Sequence, residues 1–176
     1  DRIAEFLYIN KETQSFIENV YIPDLLAVAS FYKDWGAIGG CANYMAWGEF
    51  PLNDNEPESL FMPRGVIMKR NLGGMKMAAE DKVTEHVSRA WYEEGAPLHP
   101  YSGETKPLQE DPQYRPGDGK YSWFKAPRYE EEPCEVGPLA RVLVAYGAGK
   151  KEIQALVDST LQKLGVPVQA LFFHPG

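Results

Sequence analysis

The residues that could carry chemistry are concentrated between positions 121 and 142, in the segment YSWFKAPRYEEEPCEVGPLARV. It places Cys134, one of two cysteines in the chain, among several carboxylates. A thiol there could bind a metal, act as a nucleophile, or pack in a strand as a small apolar side chain. Neighbouring carboxylates repel one another when buried, so the glutamates predict a solvated hairpin turn. They are Glu130, Glu131, Glu132 and Glu135.

A metal site made by this chain alone is not predicted. Structural zinc takes four nitrogen or sulfur ligands, typically in two close pairs. The cysteines and histidines are isolated in the sequence, no CxxC pair occurs, and two cysteines do not make a disulfide framework. The isolated residues are Cys41, His86, His99, Cys134 and His174.

Motifs for phosphate binding and nucleophilic catalysis are also weak. The glycines of GAIGG, residues 36 to 40, have the wrong spacing for a dinucleotide loop and follow a predicted helix. In GAGKK, residues 147 to 151, Lys151 stands where a P-loop needs Ser or Thr. No GxSxG is present. Both glycine segments therefore predict connections between elements.

Composition excludes several classes of partner. The net charge of −7 and pI near 5.0 provide no basic field for nucleic acid. No apolar run reaches the ~20 residues of a membrane span, so we expect no direct membrane insertion. The chain begins DRIAEF without Met and ends in an apolar run, and we expect an internal piece of a longer protein.

The elements that must position these residues are predicted from periodicity. Residues 11–35 predict a helix capped by Asn10, with Phe16, Val20, Leu26 and Ala29 on one side. Pro23 either kinks this helix or starts a second one. Residues 43–50 and 59–68 each predict a strand, with Pro63 favouring an edge or bulge. Helical spacing of Val83, Val87, Ala90 and Trp91 predicts a helix over 78–92.

The second half begins with a proline-rich loop, residues 93–120, which holds five prolines and is expected to depend on its neighbours for its structure. YSWFKAPRY and PCEV predict two strands around the glutamate turn. Pro138 begins a helix, and residues 150–165 predict another, ending at Gly165. Its predicted inner face is Ile153, Leu156, Val157, Thr160 and Leu164.

These elements predict an α+β fold, helices packed with short antiparallel strands and hairpins, as a fragment of a larger, mainly helical subunit. The predicted organisation is one segment, 1–176. It comprises a helix/hairpin/helix part (1–92), the proline-rich loop (93–120), and a hairpin plus helices (121–176).

Several segments resemble the large, catalytic subunit of nickel–iron hydrogenases of the respiratory uptake type. They include FMPRGVIM, HPYSGETKP, YSWFKAPRY and EVGPLARVLVAYGAG, and they occur in the family's order over nearly the whole chain. The matching stretches are residues 20–35, 61–68, 86–92, 99–107, 121–129, 135–149 and 164–172.

The resemblance implies a parent protein that converts H₂ to protons and electrons at a Ni–Fe centre held by two CxxC pairs. Neither pair is in this sequence, so Cys41 and Cys134 inherit no ligand role. The implied partners are the rest of the large subunit and an iron–sulfur small subunit, with the parent membrane-associated on the periplasmic side or exported through its partner. Two alternatives stay open: a metal-free homologue serving as a scaffold or interaction subunit of an electron-transfer complex, and a free-standing thiol or binding domain.

Glu85 and Lys125 are the candidate site residues. In the family, a glutamate and a lysine in matching segments hold water around a magnesium ion, so the resemblance implies this role; the alternative is an ordinary surface ion pair. No catalytic residue or metal ligand is assigned to this chain. For Cys134, strand alternation predicts that it faces inward with Val136, as core packing.

The isolated chain is expected to bind no stoichiometric nickel or iron and to show no hydrogenase activity, because it lacks the implied ligand pairs. Elemental analysis of the purified chain measures this. Nickel close to one ion per chain would contradict the prediction.

Overall fold

The computed structural model describes residues 1–32, 40–56, 59–108, 119–165 and 167. The chain divides into two compact units, Asp1–Gly40 and Cys41–Phe172. The first is helical where it is described, and the second combines helices with two-stranded antiparallel sheets. This architecture confirms the predicted α+β class.

Two helices joined by a π-helical turn form the first unit: α1 (Arg2–Phe16), the turn (Ile17–Tyr21) and α2 (Ile22–Ala29). The helix begins well before the predicted cap at Asn10, because Asp1 accepts a hydrogen bond from the Ile3 amide at 3.2 Å. Pro23 lies in the first turn of α2, which follows the π-helical turn directly. Pro23 therefore starts a second helix, one of the two predicted outcomes.

The apolar side chains of this unit are exposed. No residue of α1 or α2 is buried, and Phe6 and Leu26 expose 67% and 65% of their surface. Phe16 and Val20, on the predicted inner side, are exposed as well. A helix with apolar residues on several sides is characteristic of a buried position in a larger protein.

The second unit contains six short strands. They pair in three antiparallel sheets: β1 with β4, β2 with β3, and β5 with β6. The two predicted strands at 43–50 and 59–68 are each split, one next to Gly48 (φ 93°) and the other at Pro63. The strands are β1 (Tyr44–Ala46), β2 (Glu49–Pro51), β3 (Leu60–Met62), β4 (Gly65–Ile67), β5 (Val83–His86) and β6 (Ala126–Tyr129).

The predicted helix over 78–92 is wrong. Residues Glu80–Lys82 make one 3₁₀ turn, and β5 follows directly. β5 pairs with β6 so that Val83 lies opposite Tyr129. Hydrogen bonding to a strand distant in sequence overrides the helical spacing of the apolar residues.

The predicted pairing of the PCEV strand with the YSWFKAPRY strand across the glutamate turn is also wrong. After β6 the chain turns through Glu130 and Glu131, both with positive φ, and then runs beside β1. The Met45 amide donates to the Glu135 carbonyl at 2.9 Å, and the Glu135 amide donates to the Asn43 carbonyl at 2.8 Å. This segment therefore pairs in parallel with β1, and not with β6.

Helix α3 (Pro138–Gly147) forms the centre of the second unit, with Pro138 in its first turn as predicted. Its inner face contacts the β1–β4 sheet. The main cluster of buried residues is Tyr44, Ala46, Ile67, Ala140, Leu143 and Val144.

Helix α4 (Lys151–Leu164) packs on α3 and ends at Gly165, whose φ of 68° is left-handed, as predicted for a C-terminal glycine. Ile153 and Val157 are buried as predicted, but Thr160 is exposed and Leu156 exposes 64% of its surface. Leu161 is buried in their place and packs near Ala145 of α3. The Leu164 side chain lies outside the described residues.

Part of the proline-rich loop, 109–118, lies outside the described residues. The part before it folds back along Trp91–Glu93: the Glu93 amide donates to the Lys106 carbonyl at 2.9 Å, and the Leu108 amide to the Trp91 carbonyl at 3.1 Å. The described loop is therefore held by backbone bonds both within itself and to the residues that precede it.

Leu143→Ala is expected to lower the free energy of unfolding by about 2–5 kcal/mol, because it leaves a cavity at a fully buried position. The matched control is Leu156→Ala, which should change the free energy of unfolding by no more than about 0.5 kcal/mol. Urea denaturation monitored by circular dichroism measures both. Equal losses in the two variants would contradict the placement of the core.

Candidate functional site

The β5–β6 hairpin positions the two candidate site residues. Glu85 lies in β5 opposite Pro127, and Lys125 immediately precedes β6. The Lys125 Nζ donates to Glu85 Oε2 at 3.1 Å. The Lys125 side chain exposes 32% of its surface and the Glu85 side chain 28%, so the pair is partly shielded from water. The structure thus brings together the two residues that the sequence singled out.

A cavity of about 250 Å³ opens beside this ion pair, beneath the loop that follows residue 93. The Glu85 amide donates to the Leu98 carbonyl at 2.8 Å, which fixes the loop to the hairpin. The wall of the cavity holds more carboxylates than amines, and this charge balance favours water or a cation. Apart from the ion pair, the charged lining is Glu93, Glu94, Glu104 and Lys106.

A buried lysine holds the base of this loop. Lys120 is almost fully buried, and its Nζ donates to the Ala90 and Tyr92 carbonyls at 3.0 and 3.3 Å. Trp123 packs edge-on against the rings of Trp91 and Tyr92, at 5.3 and 5.5 Å between centroids. Charge-assisted bonds and aromatic packing together fix residues 90–92 beside the cavity.

The remaining ion pairs of the hairpin lie on its exposed side. Glu130 pairs with Lys82, and this contact raises the pKa of Lys82 and lowers that of Glu130. Glu131 lies 3.0 Å from the His86 ring and accepts from the Thr84 hydroxyl at 3.1 Å. The glutamates at 130–132 are exposed, which confirms the predicted solvated turn, whereas Glu135 is half-buried.

Cys134 lies at the edge of a small core cluster. It is half-buried and packs with Met45, Met68 and Val83 around buried Val66, Ala78 and Tyr129. Burial raises the pKa of the Cys134 thiol to about 11, with smaller contributions from Cys41 and Glu132. Core packing is therefore the observed role, but the prediction that Val136 shares this face is wrong, because Val136 is exposed.

No group of three or more His, Cys, Asp or Glu side chains within the described ranges could hold a metal ion. His174 lies outside those ranges. Across the same residues, no helix is both long and apolar enough to cross a bilayer.

The sequence alone did not indicate the roles of Lys120 and Trp123. Lys120 is the last residue of the proline-rich loop and shows no periodicity with apolar residues, so its burial could not be inferred. The cavity was also missed, because its wall combines β5, the proline-rich loop and the residue before β6. Only the matched segments HPYSGETKP and YSWFKAPRY pointed to this region.

The fold and the site define an α+β structural segment with an ion-paired polar cavity and no metal-binding group of its own among the described residues. Residues 1–176 match the family model described as nickel-dependent hydrogenase. The chain belongs to this family, and it corresponds to a segment of the large subunit.

The relatives agree on this assignment. The chain is 40% identical to the uptake hydrogenase large subunit of Rhizobium leguminosarum bv. viciae over 89% of its own length and 30% of that protein. It is 31% identical to the quinone-reactive Ni/Fe-hydrogenase large chain of Wolinella succinogenes, over 97% of this chain and 32% of the relative. The Ni-Fe-Se hydrogenase structure from Desulfomicrobium baculatum superposes with a TM-score of 0.63 at 35% identity, covering 82% of this chain and 28% of that one. The chain thus spans about a third of these relatives.

Alkylation of Cys134 by iodoacetamide at pH 8 is expected to be about 100-fold slower than that of a thiol with a pKa of 9.0, because the thiolate is the reactive form and the Cys134 pKa is about 11. The rate should rise as pH is raised toward 11. Peptide mapping by mass spectrometry follows Cys134 separately from Cys41. Labelling at the rate of an unfolded control peptide would contradict the burial of this thiol.

Proposed function

We propose that this chain is a structural segment of the large subunit of an uptake-type nickel–iron hydrogenase, in which the whole protein oxidises H₂ to protons and electrons. The observation that carries the proposal is the 40% identity to an uptake hydrogenase large subunit over 89% of the chain. The segment supports the large subunit mechanically, through the α3-centred core and the β5–β6 hairpin.

A Ni–Fe centre does not fit the residues described here, since they contain no metal-binding group of three or more ligands. We therefore assign its ligands to parts of the large subunit that this chain does not span. The chain's own contribution is to hold neighbouring elements in place, and precise geometry around a metal depends on such supporting contacts.

The proposed partners follow from the exposed surface of the first unit. Fifteen large apolar or aromatic side chains between Ile3 and Tyr32 are exposed, far more than a soluble helix tolerates in water. We assign their cover to the rest of the large subunit. An iron–sulfur small subunit is the proposed electron acceptor. We also propose that the whole protein is membrane-associated, because quinones dissolve in the membrane and one relative is named as quinone-reactive.

Within this segment, we assign Glu85 and Lys125 to orienting water around a magnesium ion bound by other parts of the subunit. Magnesium usually keeps several of its waters, and carboxylates in the surrounding layer accept hydrogen bonds from them. Glu85 fits this role because Oε2 is held by Lys125, and the side chain borders the polar cavity. Lys125 fixes the orientation of the carboxylate.

Glu85→Gln and Lys125→Met in the full-length protein are each expected to lower H₂-dependent dye reduction by about 10- to 100-fold, the usual effect of losing a supporting contact around a metal. Magnesium content should fall in parallel. The matched control is Lys82→Met, which removes an exposed ion pair of the same hairpin and should leave both quantities unchanged.

Full activity and magnesium content in both variants would refute the assignment of Glu85 and Lys125. Nickel analysis of the unmodified full-length protein separates this outcome from failure of the wider proposal. A full-length protein without nickel would indicate a metal-free scaffold homologue instead of a hydrogenase.

A further inference from the structure

The two cysteines of the chain lie 93 positions apart in sequence but side by side in the fold. The segment after β6 runs parallel to β1, with Tyr44 and Glu135 as bridge partners. The Cys41 Sγ donates to the Pro133 carbonyl oxygen at 3.5 Å. That carbonyl group is bonded to the amide nitrogen of Cys134, so the Cys41 sulfur lies against the backbone that carries the second thiol.

Neighbouring bonds fix this arrangement. The Asn43 side-chain amide donates to the same Pro133 carbonyl at 2.9 Å, and the Asn43 side-chain oxygen accepts from the Lys69 amide at 2.8 Å. Asn43 is buried, so these bonds are shielded from water. The two cysteine-bearing segments are therefore aligned by the fold.

Both thiols are free and half-buried, so each is packed yet partly accessible to small reagents. Cys41 precedes β1 and lies outside any regular element, which leaves its backbone able to adjust. A disulfide needs Cα atoms about 4.4–6.8 Å apart. The proposed bond requires rotation of both side chains and a movement of the backbone at Cys41, which precedes β1.

We propose that Cys41 and Cys134 are a redox pair that closes to an intramolecular disulfide when a peroxide is the oxidant. The Cys41 sulfur attacks one peroxide oxygen and becomes a sulfenic acid, releasing water from hydrogen peroxide. The Cys134 sulfur then attacks the Cys41 sulfur, the S–S bond forms and a second water leaves. Two thiols are oxidised by two electrons, and one hydrogen peroxide is reduced to two waters.

The order of these steps follows from the environment of each thiol. Burial raises the pKa of Cys134 and keeps it largely protonated at neutral pH, so it is the poorer first nucleophile. We therefore assign the first attack to Cys41, which precedes β1 and lies outside the core cluster that holds Cys134, and the resolving step to Cys134. The resulting bond joins the segment before β1 to the segment after β6 and closes a long loop, which restricts the unfolded chain.

The test is performed on the full-length protein, with and without hydrogen peroxide, followed by alkylation and protease digestion at acidic pH. Mass spectrometry is expected to find a peptide pair linked through Cys41 and Cys134 only after oxidation, lighter by two hydrogens than the separate peptides. Reduction with dithiothreitol should restore both free peptides. This readout is independent of hydrogenase activity.

Two variants identify the steps. Cys134→Ser should leave Cys41 as a sulfenic acid that dimedone traps, whereas the unmodified protein should show little trapping. Cys41→Ser should leave Cys134 reduced. The proposal is overturned if the linked peptide is absent from the oxidised unmodified protein, or if dimedone traps Cys41 equally with and without Cys134. The unmodified protein alone decides the first point, even if a variant fails to fold.

Discussion

Helix α3 can lie against strand β4 only because residue 65 has no side chain. A Cβ atom at Gly65 would lie 2.8 Å from the Val144 side chain and 2.8 Å from the Met75 sulfur. Because Gly65 carries only a hydrogen at that position, Leu143 and Val144 are fully buried against Ile67 and its neighbours. Each such side chain contributes about 1.5–3 kcal/mol by burial, so this contact stabilises the second unit substantially.

The other parts of the second unit are attached to this core. α4 covers the outer side of α3 near Ala145, and the segment that contains Cys134 is hydrogen-bonded to β1. The β5–β6 hairpin joins the core through Tyr129, whose hydroxyl accepts from the Ala79 amide at 3.2 Å. The Glu85–Lys125 pair is thereby placed on a framework that is rigid at its base, as the proposed role in orienting water requires.

The sequence predicted the elements whose signals are local. The α3 and α4 helices were predicted because Pro138 and Gly165 mark their ends and apolar residues recur between them. The segment at 78–92 was misread because its apolar spacing suits a helix, while its structure depends on pairing with β6 far along the chain. The burial of Leu161 in place of Leu156 depends on how α4 rotates against α3, and a single helix pattern does not specify that rotation.

The candidate functional site could not be predicted from local sequence signals. The pairing of Glu85 with Lys125 came from resemblance, because nothing in either local sequence indicates that a strand and a distant loop will meet. The position of Lys120 and the polar cavity arise only after the hairpin and the proline-rich loop have packed together. Local sequence signals thus predict helices whose ends are marked by proline or glycine. Sites assembled from distant segments require a relative or a structure.

The exposed apolar helices of the first unit are explained if the chain is an interior segment of a larger subunit. Hydrogen exchange of the amides in Arg2–Phe16, measured in the full-length large subunit and in the isolated chain, tests this claim directly. The account predicts that α1 becomes protected in the full-length subunit to an extent comparable with α3, because the rest of the subunit covers its apolar residues. Exchange of α1 that is equally fast in both proteins would contradict it.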